Sequence, residues 1–360
     1  MRKFNSLKIA HITRETPDAV SILFDLPDEL AEDYAYVQGQ HVTLKATVGG
    51  EELRRSYSVC SGVQDQELRI AVKKIKDGRF SGFANDVLKT GDVIEVFPPT
   101  GGFHTPLDPA QAKSYVAFSG GSGITPIISL IRTTLHVEPR STFTLVYGNR
   151  DARSVIFAEA LGRLKDKYMD RFALYHLLEG EAQEVELFQG LLTREKCDLL
   201  LSGLIQPGTV DAFFICGPGP MMDAVEESLK ANGVDKAKIH MERFINANEA
   251  GNLAPRAAPA KDGEKAAPTA EITVVIDGER TSFEYREGQN SLLASAIEAG
   301  LEVPYSCTGG VCATCRAKVL EGSVEMRENY GLEPDEVEKG YVLTCQSSPT
   351  TAKLVLSYDE

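Results

Sequence analysis

The 360-residue chain has no tryptophan, and nowhere does it hold the eighteen or so unbroken apolar residues that a membrane-spanning helix needs. A membrane partner is therefore not expected. Basic residues are in the minority: 38 Lys and Arg face 52 Asp and Glu, for a formal net charge of −14. Nucleic acid, which calls for a basic face, is not expected as a partner either. Met1–Ser6 offers neither an apolar run nor a small-residue cleavage site, so a secretory leader is not expected and a cytoplasmic location is. The six histidines are scattered, without the H-E-x-x-H pair of a zinc hydrolase. There is no internal repeat and no sustained heptad pattern. The seven cysteines are an odd number, which argues against a disulfide scaffold.

What is present is ordinary soluble composition, 42% hydrophobic and 25% charged, in a chain too long for one core. Two or three domains are expected. The charge is uneven: residues 271–360 carry 7 basic and 16 acidic groups. That acidity is compatible with steering a basic partner and equally with solubility alone. Four of the seven cysteines also fall in this last stretch.

The chain divides by its local grammar. Residues 1–105 hold β-rich or alternating segments such as His41–Leu44, Leu68–Lys73 and Val93–Phe97, with turn signals at Gly49-Gly50, Asp77-Gly78 and Gly91-Asp92. This predicts a small antiparallel β-barrel. Residues 106–246 read as strand, glycine turn and helix in succession: Tyr115–Phe118, then Gly120–Gly123, then Ile124, Ile127, Ile128, Ile131 and Leu135 at helical spacing. Strands follow at Phe143–Tyr147 and Ala212–Cys216, the second leading into a helix with Met222, Val225 and Leu229 on one face. Such order predicts an α/β domain with a parallel sheet. Residues 247–270 contain nine Ala and three Pro and read as a linker, mobile or semi-extended. Residues 271–360 begin with a hairpin, Ile272–Ile276 and Arg280–Tyr285 around Asp277-Gly278, followed by a helix at Ser291–Ala299 and further strands. This predicts a β-grasp (α+β) domain.

Cys307, Cys312 and Cys315 are spaced C-x4-C-x2-C, and Cys345 follows after 29 intervening residues. This is the plant-type [2Fe–2S] spacing. Thiolates are soft ligands that suit iron, and glycines between them let backbone N–H groups approach the sulfurs. Structural zinc normally uses paired ligand units, whereas only one C-x2-C pair exists here and no His lies between Cys307 and Glu360. Unligated core cysteines do not account for three in nine residues.

Arg55-Ser56-Tyr57-Ser58 lies on a strand-like stretch whose period of two separates Arg55 and Tyr57 from Ser56 and Ser58. Arg can hold a pyrophosphate bidentately, Tyr can pack along a flavin, and Ser can reach the flavin's reactive edge. Val72 and Lys73, closing a neighbouring strand, join these as candidate flavin contacts. Gly78-Arg79-Phe80-Ser81, ahead of a helix-like Phe83–Leu88, supplies amides and a hydroxyl for phosphate, with Gly78, Phe80 and Ser81 as candidates.

Gly120, Gly121, Ser122 and Gly123, followed by Ile124-Thr125-Pro126, sit between a strand and a helix and suit a nucleotide phosphate. The run is neither the G-x-G-x-x-G fingerprint nor a G-x-S-x-G nucleophile elbow. Cys216-Gly217-Pro218-Gly219-Pro220-Met221 forms a second strand-end turn, and ligands bind at such strand ends. Asn149, Arg150 and Arg153 follow the strand ending at Tyr147. Arginine there accommodates a ribose 2′-phosphate, which favours NADPH with NADH as the alternative. Asp151 between the two arginines works the other way, and a solvated charged turn is the plain alternative.

Taken in order, RRSYS, GGSGITP, CGPGPMM and C-x4-C-x2-C…C resemble the ferredoxin–NADP reductase superfamily with a plant-type ferredoxin fused at the C-terminus. The resemblance spans essentially the whole chain. Its stretches FTLVYGNR, IHMERF, GGVCATC and NYGLEPDEVEKGYVLTCQ are similar to the family of reductase subunits that serve bacterial phenylacetyl-CoA epoxidases. The resemblance implies that Arg55, Tyr57 and Ser58 bind FAD, with Ser81 on its pyrophosphate. It implies that Gly120 to Thr125 hold the nicotinamide nucleotide, that Cys216 lies near the nicotinamide, and that Glu242 and Phe244 sit by the isoalloxazine. Ser58, Cys216 and Glu242 are thus the candidate catalytic residues. Gly219 departs from the pattern by adding a second glycine to the C-G-P turn.

By this resemblance the chain is an NAD(P)H oxidoreductase whose partner is a diiron oxygenase. Two other readings stand beside it. One is the reductase of a Rieske ring-hydroxylating or steroid hydroxylase system; the other is a redox-sensing Fe–S or zinc protein without turnover. FMN in place of FAD also stays open.

Overall fold

The computed structural model describes residues 3–244, 269–286, 288–332 and 334–360. The first sheet is antiparallel and contains β1 (Asn5–Thr16), β2 (Ala19–Asp25), β3 (His41–Val48), β4 (Glu51–Ser58), β5 (Leu68–Lys73) and β6 (Val93–Thr100) in the order β4-β3-β6-β1-β2-β5. A bridge between Val59, just past β4, and Ile70 on β5 brings the two edges together, so the sheet curls into a barrel. Alternate residues fill it: Leu7, Ile9, Val20, Ile22, Val42, Leu44, Ile70, Val72, Ile94 and Val96 form one apolar cluster. Helix α1 (Arg79–Asp86) caps the barrel through Phe80 and Ala84.

The sequence placed this helix later, from Phe83. It starts at Arg79 because Gly82 N–H bonds to Gly78 O at 2.8 Å and closes the first turn, and it ends where Val87 and Leu88 both donate to Phe83 O. Arg79, Phe80 and Ser81 therefore lie in the first turn rather than before it.

The second sheet is parallel. Its strands are β7 (Ser114–Gly120), β8 (Thr142–Asn149), β9 (Phe172–Leu178), β10 (Ala212–Cys216) and β11 (Ile239–Glu242), ordered β11-β10-β7-β8-β9. Helices α2 (Ile124–Val137), α3 (Ala158–Lys167), α4 (Arg194–Gly203) and α5 (Gly219–Ala231) connect them. Chain order reverses between β7 and β10, so the loops after these two strands face each other at the sheet's switch point. Helix α2 is buried nearly all round, its Thr125, Ser129, Thr133 and Thr134 included, because it is covered on two sides. Ile127, Ile128 and Ile131 belong to a cluster that also holds Phe143 and Phe214 of the sheet and Cys60 and Phe103 from the barrel region. Ser129 Oγ donates to Ser61 O at 2.7 Å across the same contact. Barrel and parallel sheet thus share one core.

The expected linker at 247–270 lies outside the described residues except for Thr269 and Ala270, and Ala270 already opens a strand. The third sheet has β12 (Ala270–Ile276), β13 (Glu279–Tyr285), β14 (Arg316–Glu321), β16 (Tyr341–Leu343) and β18 (Lys353–Ser357) in the order β13-β12-β18-β14-β16. β15 (Val324–Met326) and β17 (Ser347–Pro349) pair separately. The β12–β13 turn has Asp277 at φ 54° and Gly278 at φ 76°, the two left-handed residues of a type I′ hairpin. β12 runs parallel to β18, and α6 (Leu292–Glu298) packs beneath, which is the mixed sheet and helix of a β-grasp domain. No helix among the described residues is long and apolar enough to cross a membrane.

Candidate functional site

Two adjoining cavities gather most of the residues that the sequence singles out. The first is lined by Arg55, Ser56, Tyr57 and Ser58 of β4, Lys73 at the end of β5, Gly78, Phe80 and Ser81 at the start of α1, Ser122 and Thr125 at the start of α2, and Phe244. The second shares Arg55, Ser56, Ser58 and Phe244, and adds Glu242, Cys307, Thr308 and Cys312. The edge of the barrel, the end of the parallel sheet and the cysteine loop therefore open on one another. Strand β4 is placed for this because it edges the sheet and pairs with β3 alone in register, Tyr57 opposite Val42 and Ser56 opposite Thr43.

The donors in the first cavity fit a flavin nucleotide. Arg55 donates to Arg54 O at 2.7 Å and has no acidic partner among the described residues, which leaves a guanidinium for phosphate. Ser58 is 2% exposed, yet its hydroxyl has no hydrogen-bond partner among the described residues. An orphaned buried hydroxyl facing a cavity is what a polar ligand would satisfy. Tyr57 packs its ring 5.8 Å from Phe80. The Ser81 hydroxyl is held in the first turn, accepting from Ile75 N–H at 3.2 Å and donating to Gly78 O at 3.1 Å. Val72 turns its side chain into the barrel core.

The two strand-end loops of the parallel sheet interlock. A Cβ on Gly123 would meet Cys216 O at 2.0 Å, so only glycine allows this approach. Gly120, Gly217, Pro218 and Met221 press together beside it, and Tyr147 donates to Gly121 O at 2.9 Å. Cys216 is fully buried, and burial, with Glu242 adding to it, pushes its thiol well up. Gly219 opens α5, and a Cβ there would make no more than an ordinary contact, with Arg243 Nη1 at 3.9 Å, so the extra glycine meets no steric demand.

Asn149, at the end of β8, is 9% exposed and neither amide atom has a partner among the described residues. The carboxylate of Asp151 is occupied: it accepts from Ser154 N–H at 2.9 Å as an N-cap and pairs with Arg150 at 3.3 Å. Asn149, Arg150 and Arg153 lie away from the two cavities.

The four cysteines fall into two pairs. Cys312 beside Cys307 lowers the Cys307 thiol to about 7, against the effect of burial. Cys315 is pushed well up by Cys345 first and by burial second. No three ligand side chains among the described residues converge on a single ion position. Two thiol pairs fit the ligand set of a two-iron cluster. The loop is also shaped for sulfur: Gly309 N–H and Cys312 N–H point at Cys307 Sγ at 3.4 and 3.3 Å, and Cys307 N–H at Cys312 Sγ at 3.4 Å. Thr308 and Ala313 adopt φ of 53° and 50°, conformations that non-glycine residues hold only where their surroundings impose them. Thr344 N–H and Oγ1 both donate to Cys315 O and tie the last cysteine to the loop.

Several residues at the meeting point were missed from sequence. His41 carried no motif signal. Its Nε2 lies 2.8 Å from Cys312 O, and its Nδ1 is 3.6 Å from Glu242 Oε1. Burial works to lower the imidazole pKa, but the Glu242 carboxylate and Cys312 together outweigh it and hold His41 above its ordinary value. Arg54 stacks over Tyr305 at 4.2 Å, a contact between residues 251 positions apart that no local pattern announces.

Family models match in the same order as these regions: an oxidoreductase FAD-binding domain at residues 6–105, an oxidoreductase NAD-binding domain at 118–227, and a 2Fe-2S iron-sulfur cluster binding domain at 274–350. The chain is 43% identical over its full length to one of the subunits of 1,2-phenylacetyl-CoA epoxidase from Escherichia coli K12, covering 99% of that protein. It is 36% identical to the ferredoxin reductase component of 3-ketosteroid-9-alpha-monooxygenase from Rhodococcus rhodochrous, over 98% of this chain and 96% of that one. Among solved structures it resembles phthalate dioxygenase reductase, described as a modular structure for electron transfer from pyridine nucleotides to [2Fe-2S], at 25% identity, TM-score 0.54 and 98% coverage of each chain. An FAD-binding barrel, an NAD-binding parallel sheet and a four-cysteine β-grasp domain, joined in one polypeptide and matched end to end, place this chain in the family of ferredoxin–NADP reductase-like oxidoreductases that carry a fused [2Fe–2S] ferredoxin domain and act as electron-transfer components of oxygenases.

Proposed function

We propose that this protein is the reductase component of a phenylacetyl-CoA epoxidase-type system, taking electrons from NADPH and delivering them to a diiron oxygenase in the cytoplasm. The observation that carries the electron-transfer part is the shared cavity, where Ser58 of the barrel, Glu242 and Phe244 at the end of the parallel sheet, and Cys307 and Cys312 of the cluster loop line one space. Support for the partner is the full-length likeness to a component of that epoxidase.

The modules in this reading are 1–105 for FAD, 106–246 for NAD(P)H, 247–270 as linker and 271–360 for the cluster. When bound, the groups let one hydride, two electrons carried together from the nicotinamide, leave as two single electrons, with oxidised nicotinamide and a proton as the other products. The chain's own residues do the placing. Arg55 and the first turn of α1, with Ser81, would hold the flavin phosphates; Tyr57 and Phe244 would pack against the flavin, and Ser56, Lys73 and Gly78 would complete the wall. The unpartnered Ser58 hydroxyl offers a hydrogen bond to the flavin's reactive edge. The interlocked loops at Gly120–Gly123 and Cys216–Met221 would hold the nicotinamide nucleotide, with Cys216 and Glu242 on its nicotinamide side. Asn149, Arg150 and Arg153 read the 2′-phosphate, and the N-cap role of Asp151 leaves its carboxylate less free to oppose that phosphate. Cys307, Cys312, Cys315 and Cys345 hold the cluster.

Reconstitution tests the partner. The purified holoprotein with NADPH supports turnover of a phenylacetyl-CoA epoxidase core; if it feeds a Rieske or ketosteroid hydroxylase component and not the epoxidase, the partner is wrong. The 36% identity to a ketosteroid monooxygenase reductase is the observation that favours that second reading.

A further inference from the structure

The three modules are joined in two different ways. Barrel and parallel sheet share an apolar core in which Cys60 and Phe103 pack with Ile127 and Phe214. Among the described residues, the apolar clusters of the C-terminal module contain only residues from 270 onward. What crosses its seam with the barrel is polar. Thr43 Oγ1 lies 3.2 Å from Thr314 Oγ1, Ser56 Oγ lies 3.0 Å from Ser306 Oγ, and Arg54 sits over Tyr305.

His41 stands at the centre of this seam. It is on β3 and 4% exposed. A carbonyl oxygen only accepts, so the 2.8 Å contact with Cys312 O requires that Nε2 carry a proton and donate. Thr100 Oγ1, 3.2 Å from the same nitrogen, donates its own proton to Cys312 O at 3.4 Å, so the carbonyl receives two donors from the barrel. Nδ1 has no hydrogen-bond partner among the described residues and faces the Glu242 carboxylate at 3.6 Å. One imidazole thus touches the barrel that carries it, the last strand of the parallel sheet, and the backbone of a cluster ligand.

We propose that His41 is a positioning residue that seats the cluster loop against β3 and β4, so that the donor hydrogen bond to the Cys312 carbonyl sets the approach of the cluster to the flavin cavity. This rests on the electron-transfer reading and names the group that fixes its geometry. A seam of a few hydrogen bonds without a shared apolar core defines a position and still lets the module leave it, because each such bond exchanges readily for one with water. The same face, Ser306 and Cys312 to Thr314, is covered while seated.

The test uses reconstituted full-length holoprotein: wild type, His41→Ala, His41→Gln and the near-isosteric Thr43→Val. Two readouts are taken, amide hydrogen exchange in peptides spanning residues 306–316, and the ratio of NADPH-driven cytochrome c reduction, which passes through the cluster, to ferricyanide reduction, which draws on the flavin. In His41→Ala, exchange at 306–316 rises about tenfold and the ratio falls at least about fivefold. His41→Gln, whose amide can again donate to the Cys312 carbonyl, returns both to within about twofold of wild type. Thr43→Val raises exchange at the same peptides about threefold and decides the matter should His41→Ala fail to fold. Unchanged exchange and an unchanged ratio in the folded variants overturn the proposal, and so does a rise spread evenly through the barrel. Should wild type reduce neither acceptor, the electron-transfer reading itself fails, and the seating is then decided by exchange alone.

Discussion

Gly123 lies directly under the carbonyl oxygen of Cys216, close enough that a methyl group on its Cα would meet that oxygen at 2.0 Å. The two loops at the switch point of the parallel sheet are fitted to each other by this contact. Gly123→Ala forces them apart and displaces the floor of the nucleotide site. We expect KM for NAD(P)H to rise about tenfold or more while FAD content is unchanged, since a ~1 Å misplacement can cost up to 100-fold. Steady-state kinetics with flavin quantitation checks this.

Arg55 has no acidic partner among the described residues, so its charge is available to the flavin phosphates. Charged hydrogen bonds are worth about 1.5–3 kcal/mol, so Arg55→Ala should weaken FAD binding by roughly 10- to 100-fold. Arg55→Lys should recover only part of that, because an ammonium cannot make the bidentate contact. Apo-protein titration with FAD, followed by fluorescence quenching, measures both; full recovery by lysine would contradict the bidentate role.

The architecture of all three sheets was legible in the sequence, because it rests on short-range signals. Alternation at Leu68–Lys73, glycine turns after Phe118 and Cys216, and Asp277-Gly278 each act within a few residues. The cysteine loop was legible for the same reason. The start of α1 was not, because Gly78 is both a turn residue and a helix N-cap, and only the Gly82-to-Gly78 hydrogen bond distinguishes them. Nor was the role of His41, whose partners are 201 and 271 positions away. A buried histidine on a strand carries no local mark of what it faces.

Burial pushes the Cys60 and Cys197 thiols up to about 12. At pH 8 only about one in 10⁴ of either is thiolate, the reactive form. Native holoprotein should therefore show neither residue reacting with a disulfide reagent at that pH, whereas denatured protein shows both. The sign for stability follows: above the ordinary thiol value of ~8.5 the unfolded chain loses protons that the folded chain keeps, so stability falls as pH rises from there towards 12. Peptide mapping of labelled cysteines, with unfolding midpoints at pH 8 and pH 10, checks both.

Thr344 ties the segment after β16, which carries Cys345, to the loop through its contacts with Cys315 O. Cys345→Ser should abolish the cluster's visible absorption and NADPH-driven cytochrome c reduction, while ferricyanide reduction persists within about threefold. Removing iron from wild type with a chelator should destabilise residues 271–360 selectively, because binding energy at a ligand loop is folding energy. Hydrogen exchange before and after chelation resolves this by peptide.

The central claim is that nicotinamide, flavin and iron–sulfur modules work in series within one chain. An anaerobic titration of reconstituted holoprotein with NADPH, followed by visible absorption and electron paramagnetic resonance, tests it most directly. The account predicts that the flavin band bleaches, that the cluster band falls with it, and that a reduced [2Fe–2S] signal grows in. A flavin that bleaches while the cluster stays oxidised, or two chromophores that both stay unchanged, would contradict it.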